Sequence, residues 1–219
     1  MTALWLALVV VQAPLDEATL VVRRDTQQTA REAFRLAPAR SPAGGWTLAT
    51  TIRYERSRPV LVLGPVVELD PDSDVATLEY TVADPRDPVR IVGQAGRGRF
   101  LVRVLGRRTE RAREFVAGHP LAVLDDSVFA LYLPLAWRGR RDAIAVTALF
   151  PRAGRRELLR VSDIGTERTT LNRDSASLRH IVVSGGENRL VHVWLGGDGR
   201  LAKVEIPSRG LVAERQPAP

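Results

Sequence analysis

The feature that most limits how this chain can fold is a period-two alternation of apolar and polar residues that recurs along nearly its whole length. Trp46, Leu48, Thr50, Ile52 and Tyr54 fall on one face of an extended segment, opposite Thr47, Thr51, Arg53 and Glu55. Ala76, Leu78, Tyr80 and Val82 alternate in the same way with Val75, Thr77, Glu79 and Thr81. Successive side chains of a strand point to opposite faces, so the pattern predicts strands with a buried side. Further strands are predicted over 17–24, 28–36, 59–69, 88–94, 98–105, 109–116 and 143–150, then 155–161, 167–171, 177–183, 189–195, 200–206 and 210–214. Turn signals recur at intervals of roughly 8–12 residues, among them Pro42-Ala43-Gly44-Gly45, Asp70-Pro71-Asp72-Ser73, Asp84-Pro85, Gly96-Arg97-Gly98 and Asp198-Gly199. That spacing belongs to an all-β, mostly antiparallel fold rather than to βαβ units.

One segment breaks the alternation. Asp125-Asp126-Ser127 precedes the apolar run Val128-Phe129-Ala130-Leu131-Tyr132-Leu133, and Pro134 follows. Asp126 or Ser127 would cap a short helix by accepting a bond from an open amide, and Pro134 would interrupt it. The predicted helix, around 127–136, is apolar nearly all round and must therefore be buried against the sheet.

The C-terminal hairpin is legible residue by residue. A two-residue turn at Asp198-Gly199 pairs Leu195 with Ala202, Val193 with Val204 and Val191 with Ile206, and sets Trp194 opposite Lys203 and His192 opposite Glu205. A tight Gly185-Gly186 turn pairs His180 with Val191 and Ile181 with Leu190. The second face then carries Ile181, Leu190 and Trp194, so both faces are largely covered. A sheet wrapped around a helix or a ligand accounts for that better than one with a bare side.

Composition narrows the function. Hydrophobic residues make up 45% of the 219-residue chain and charged residues 26%, enough for a real core in one large β domain. Cysteine is absent, which removes disulfides, thiolate metal sites, cysteine nucleophiles and a lipidated cysteine anchor. The net charge of +7 is nearly all arginine, Lys203 being the only lysine. Aromatic residues are only 5%, and no basic stretch carries the stacking aromatics of a single-strand binder, so no nucleic-acid partner is expected. Seven arginines between Arg97 and Arg113, and seven more between Arg138 and Arg160, read as solvated strand faces, with an anionic partner second.

Residues 1–13 read as a short secretory signal. The apolar run from Ala3 to Val11 falls far below the ~20 residues of a membrane span, and Val11-Gln12-Ala13 suits signal peptidase. No Lys or Arg precedes the run, however, and Pro14 would follow the cut. The expectation is export to the periplasm or the exterior, a single β-rich domain over 14–215, a disordered 216–219 tail, and no transmembrane span in the mature chain.

Chemical motifs are few. Gly93-Gln94-Ala95-Gly96-Arg97-Gly98 precedes a strand, not the helix a phosphate loop needs, and reads as a hairpin turn. Asp70, Asp72 and Asp74 have the odd spacing of a calcium loop, but Val75 replaces its glycine and Thr81 its glutamate. No Gly-X-Ser-X-Gly elbow exists, and Ser184 has no visible acid and base around it. His119 falls in an exposed Gly-His-Pro loop. The two hairpin registers put His180 and His192 on opposite faces, where they cannot share a metal; a single bulge within 178–195 would bring them together. No catalytic residue, metal site or cofactor is expected.

Three stretches carry a resemblance: the N-terminal apolar segment, the block Val123-Leu124-Asp125-Asp126-Ser127-Val128-Phe129, and the ending from Val193-Trp194-Leu195 to Val204-Glu205-Ile206-Pro207. Together they resemble a domain-of-unknown-function family of exported bacterial proteins, similar in architecture to the lipoprotein-carrier half-barrels of the cell envelope. The resemblance implies a strongly curved sheet or half-barrel around the 127–136 helix and transfers no active site. The expected function is non-catalytic binding of an apolar or amphiphilic, lipid-like molecule. Trp46, Tyr54, Tyr80, Phe129, Tyr132, Leu133 and Trp194 are the candidate lining, with Arg97, Arg99, Arg140 and Arg141 for an anionic headgroup. The alternative is an interaction or scaffolding module with a dry core; a hydrolase or metal enzyme is third. Cavity volume separates the first two, since a carrier needs roughly 300 Å³ or more of apolar space.

Overall fold

The structure, a computed structural model, describes residues 14–41, 44–186 and 188–217. The expected signal segment and the last two residues of the expected tail lie outside them. The strands are β1 (Asp16–Arg24), β2 (Gln27–Pro38), β3 (Trp46–Tyr54), β4 (Leu61–Leu69), β5 (Val75–Ala83), β6 (Val89–Gly96), β7 (Arg99–Leu105), β8 (Glu110–Val116), β9 (Leu121–Val123), β10 (Ile144–Phe150), β11 (Arg155–Leu171), β12 (Asp174–Gly185), β13 (Arg189–Leu195), β14 (Leu201–Ile206) and β15 (Leu211–Arg215). They form one curved sheet in the order β8-β7-β6-β5-β4-β3-β2-β1-β15-β14-β13-β12-β11-β10-β9. Neighbours are antiparallel except β9 and β10, which run parallel. The sheet is not closed; β8 and β9 are its two ends.

Antiparallel hairpins place their turns alternately at two ends of this half-barrel. One end, the mouth, carries the β4–β5, β6–β7 and β13–β14 turns; the other, the foot, carries the β3–β4, β10–β11 and β12–β13 turns. Residues 121–137 form a plug inside. The chain enters at the mouth as β9, turns at the foot through Asp125–Ser127, and returns as helix α1 (Tyr132–Trp137). Phe129, Tyr132 and Leu133 are fully buried and pack on the inner residues Leu20, Leu36, Leu48, Ile52, Leu63, Leu78 and Tyr80. The inner face therefore closes over protein side chains, which is why the alternating strands need no second sheet.

The predicted helix is real but begins later, at Tyr132 rather than 127, and neither Asp126 nor Ser127 caps it. Pro134 falls in its first turn, where a missing amide is harmless, so the proline starts the helix instead of ending it. The amides of Phe129 and Ala130 are met instead by Glu32 of β2, at 2.8 and 2.9 Å.

Two registers differ from expectation. The β13–β14 pairs His192–Glu205, Val193–Val204 and Trp194–Lys203 form as predicted, but Leu195 pairs with Leu201 across a bulge. The turn spans 196–200, with the Gly196 amide bonded to the Arg200 carbonyl at 2.8 Å, and the bulge absorbs the one-residue slip. Between β12 and β13 the connection is 186–188 instead of a two-residue Gly185-Gly186 turn, so His180 pairs with Trp194 and Val183 with Val191. The offset of three residues flips the face. Ile181 is buried inward with Val193, and Leu190 is left exposed on the outer side.

The expected strands 155–161 and 167–171 are one strand. A bulge between Asp163 and Gly165, whose φ is +101°, leaves Ile164 unpaired and bends the β11–β12 hairpin. Its far half straps the outer face: Leu171 and Ala176 pack on Leu178, Trp194 and Ala202, and the Asn172 side chain donates to the Arg215 carbonyl at 2.7 Å. At the expected tail, the Gln216 amide donates to the Thr19 carbonyl at 2.8 Å, continuing the β1–β15 ladder by one bond.

Candidate functional site

The largest open space among the described clefts, about 600 Å³, lies at the mouth between the β4–β5 turn and the two ends of the plug. Asp74 is its keystone. The turn that delivers it is closed by the Ser73 amide on the Asp70 carbonyl and the Asp74 amide on the Asp70 carboxylate, at 2.9 and 2.8 Å. The aspartate triplet thus forms a turn, as the Asp70-Pro71-Asp72-Ser73 signal predicted. The Asp74 carboxylate, nearly buried, accepts from Arg138 at 2.6 Å and from the Leu121 amide at 2.7 Å. It also meets Nδ1 of the exposed His119. One carboxylate therefore clamps the entrance and the exit of the plug.

Around this clamp stand Trp137, Pro120 and Ile144, an apolar wall, and the side chains of Asp72 and Arg140. Trp137 is fixed by donating from Nε1 to the Gly199 carbonyl at 2.9 Å. Asp72 and Arg140 are exposed, and neither makes an ion pair among the described residues. The cleft thus combines an aromatic wall, an imidazole nitrogen of His119 left over by Asp74, one unpaired cation and one unpaired anion.

At the foot, the plug is held by a charged network. Arg152 holds Asp125 at 2.7 and 2.9 Å, and Tyr80 donates to Asp125 at 2.9 Å. Arg189 bridges Asp126 at 2.6 Å and Glu157 at 2.7 Å, and Arg155 binds both of the same carboxylates. Both guanidinium groups lie over the Phe150 ring, 4.3 and 4.5 Å from its centre. The arginines beside Asp126 hold its carboxyl below the usual range despite partial burial. A space of about 300 Å³ beside this network is lined by already paired charges, so it reads as a fastening. Asp126, expected as a cap, is with Asp125 an anchor of the plug.

Between sheet and plug, a small void of about 10 Å³ lies beside Leu48, Val67, Leu131 and Leu135. Of the candidate lining residues, Tyr80, Phe129, Tyr132 and Leu133 are core, and Trp46 and Tyr54 pack partly buried against it. The Tyr54 hydroxyl donates to the Ser127 carbonyl at 2.7 Å, and its burial pushes the phenol up to about 12. Trp194 lies on the outer face beneath the strap. Of the headgroup candidates only Arg140 lines the mouth cleft. Arg141 is exposed next to it in sequence, Arg99 pairs with Glu114 at 3.0 Å, and Arg97 occupies the β6–β7 turn with Gly98, both at positive φ. That turn is the hairpin expected of the glycine motif.

The corrected register brings His180 and His192 to one face, contrary to the expectation of opposite faces. His180 Nε2 and His192 Nδ1 are 2.8 Å apart with ring centres 5.0 Å apart, so the nitrogens face each other along the line of the rings. Two ligands of a tetrahedral ion, each about 2.0–2.1 Å from it, would stand roughly 3.3 Å apart, so the 2.8 Å spacing is that of a hydrogen bond between the rings. His180 Nδ1, buried, lies 3.1 Å from Glu167 but has no hydrogen-bond partner among the described residues, while Glu167 accepts from Trp194 at 2.9 Å. Among the described residues no group of three or more His, Cys, Asp or Glu is arranged to hold a metal ion. The sequence missed the mouth clamp because its parts are separated by 45 and 64 residues; the only signals were an aspartate-rich turn and a Gly-His-Pro loop.

An open, coiled antiparallel sheet filled by one internal segment defines the class: a β-barrel-like protein. A solved structure of this class, the β-barrel-like protein of domain of unknown function DUF1849 from Brucella abortus, matches with a TM-score of 0.57 over 91% of this chain and 94% of that one. The identity is 11%, so the likeness is one of fold. No protein-family model matches the chain, and no curated protein matches it in sequence.

Proposed function

We propose that the chain is a non-catalytic binding module that acts after export, takes a small amphiphilic ligand at its mouth cleft, and uses the plugged half-barrel as a dry scaffold. The observation that carries this reading is where the space lies: an open cleft of about 600 Å³ at the mouth, against an inner face filled by the fully buried Phe129, Tyr132 and Leu133. A lipid tail in the lumen would have to displace Phe129, Tyr132 and Leu133, each stabilised by burial worth about 1.5–3 kcal/mol. It would also break the Glu32 and Asp125 anchors. The mouth needs no such rearrangement, and its size falls within that of small-molecule sites. Export rests on the apolar run from Ala3 to Val11.

Native mass spectrometry of the protein purified from its own cell envelope tests the reading. The expected result is one small amphiphile per chain, lost when Ile144→Arg fills the cleft. A wild-type protein that carries nothing, or one that carries its ligand unchanged in the variant, would overturn it.

A further inference from the structure

We infer that the mouth cleft selects a zwitterionic amphiphile, a small molecule with an ammonium and an anionic group beside an apolar segment. The inference rests on the mouth-binding reading and names its ligand class. Five charged or titratable side chains line the cleft: Asp72, Asp74, His119, Arg138 and Arg140. Three of them are spent on one another. Asp74, nearly buried, takes Arg138 at 2.6 Å and the Nδ1 side of His119.

The remaining two carry opposite charge. Arg140 and Asp72 are exposed, line the same space, and form no ion pair among the described residues. They come from different elements that both line the cleft, the segment after α1 as one wall and the β4–β5 turn as the other. A ligand with a single charge would satisfy one wall and face the other unpaired. A ligand with both charges satisfies both, in the way interfaces match potential to potential. Trp137 lines the same space, an aromatic group of the kind that attracts an ammonium, and Pro120 and Ile144 continue the apolar wall for a short chain. A side-chain bond ties the two elements together, since the Arg138 guanidinium also donates to the Asp72 carbonyl at 3.0 Å.

The test is a titration of the full-length mature protein with probes kept below their micelle concentrations. Heptylphosphocholine is compared with octanoate, octylammonium and octyl glucoside. Heptylphosphocholine is expected to bind at least fivefold more tightly than any of the other three. Asp72→Asn should shift the preference toward octanoate, and Arg140→Gln toward octylammonium, each by about fivefold. Both substitutions are at exposed positions outside the core. Free phosphocholine separates two sources of the same chemistry. Binding without the chain points to a soluble zwitterion, and binding only with the chain to a lipid headgroup; both support the inference. An equal affinity for the neutral glucoside, or a ranking that neither substitution alters, would overturn it. If the protein from its own envelope still carries a small amphiphile in that case, the mouth reading stands and only the ligand class falls.

Discussion

Glu32 lies fully buried on the inner face of β2, where Thr50 donates to it at 2.8 Å and the amides of Phe129 and Ala130 complete its shell. Burial pushes its carboxyl from 4.5 up to about 7, although those hydrogen bonds pull the other way. The folded chain thus holds this proton more tightly than the unfolded chain. Stability from this group is fully present below pH 4.5 and is lost as pH rises to about 7, by about 3 kcal/mol in all. His192 acts with the opposite sign: burial and the neighbouring His180 lower its pKa, so its contribution is lost as pH falls through 6.5. Denaturant unfolding at pH 5 and pH 8 should therefore show Glu32→Gln losing less stability than wild type on going to pH 8. Equal losses would mean that Glu32 stays ionised throughout. Nothing in the sequence marks this residue, because a glutamate in an alternating strand reads as part of its wet face.

At the scale of elements, the strands were legible and the plug was half legible. Period-two alternation fixes which residues of β3 and β5 face inward, and a one-residue slip would expose the whole set. β9 gave no such signal, since Leu121, Ala122 and Val123 are buried on every side. The β12–β13 register depended on loop length, which Gly185-Gly186 misstates. The strap was hidden because Gly165 bends one long strand into what looks like two. The plug's apolar run was visible, but its fastening joins residues far apart in sequence. Its packing predicts that Phe129→Ala costs about 3–5 kcal/mol, because a fully buried ring would leave a cavity between sheet and helix. An unchanged denaturation midpoint would show that the segment does not fill the half-barrel.

For the whole molecule, the curved sheet follows from the fifteen strands among the described residues, which must cover an inner apolar face with no partner sheet among those residues. What the alternation leaves open is what fills the curve, a ligand or the chain itself. The plug answers that with protein, fastened at the foot by Asp125 and Asp126 and at the mouth by Asp74. The central claim is that this plug stays in place while the mouth is occupied. Hydrogen exchange at the amides of Phe129 and Ala130 reads it directly, because both are bonded to buried Glu32. Measured with and without saturating heptylphosphocholine, these amides are predicted to keep their full protection. Exchange that accelerates on binding would contradict the account, because the ligand would then be entering the lumen and driving the plug out.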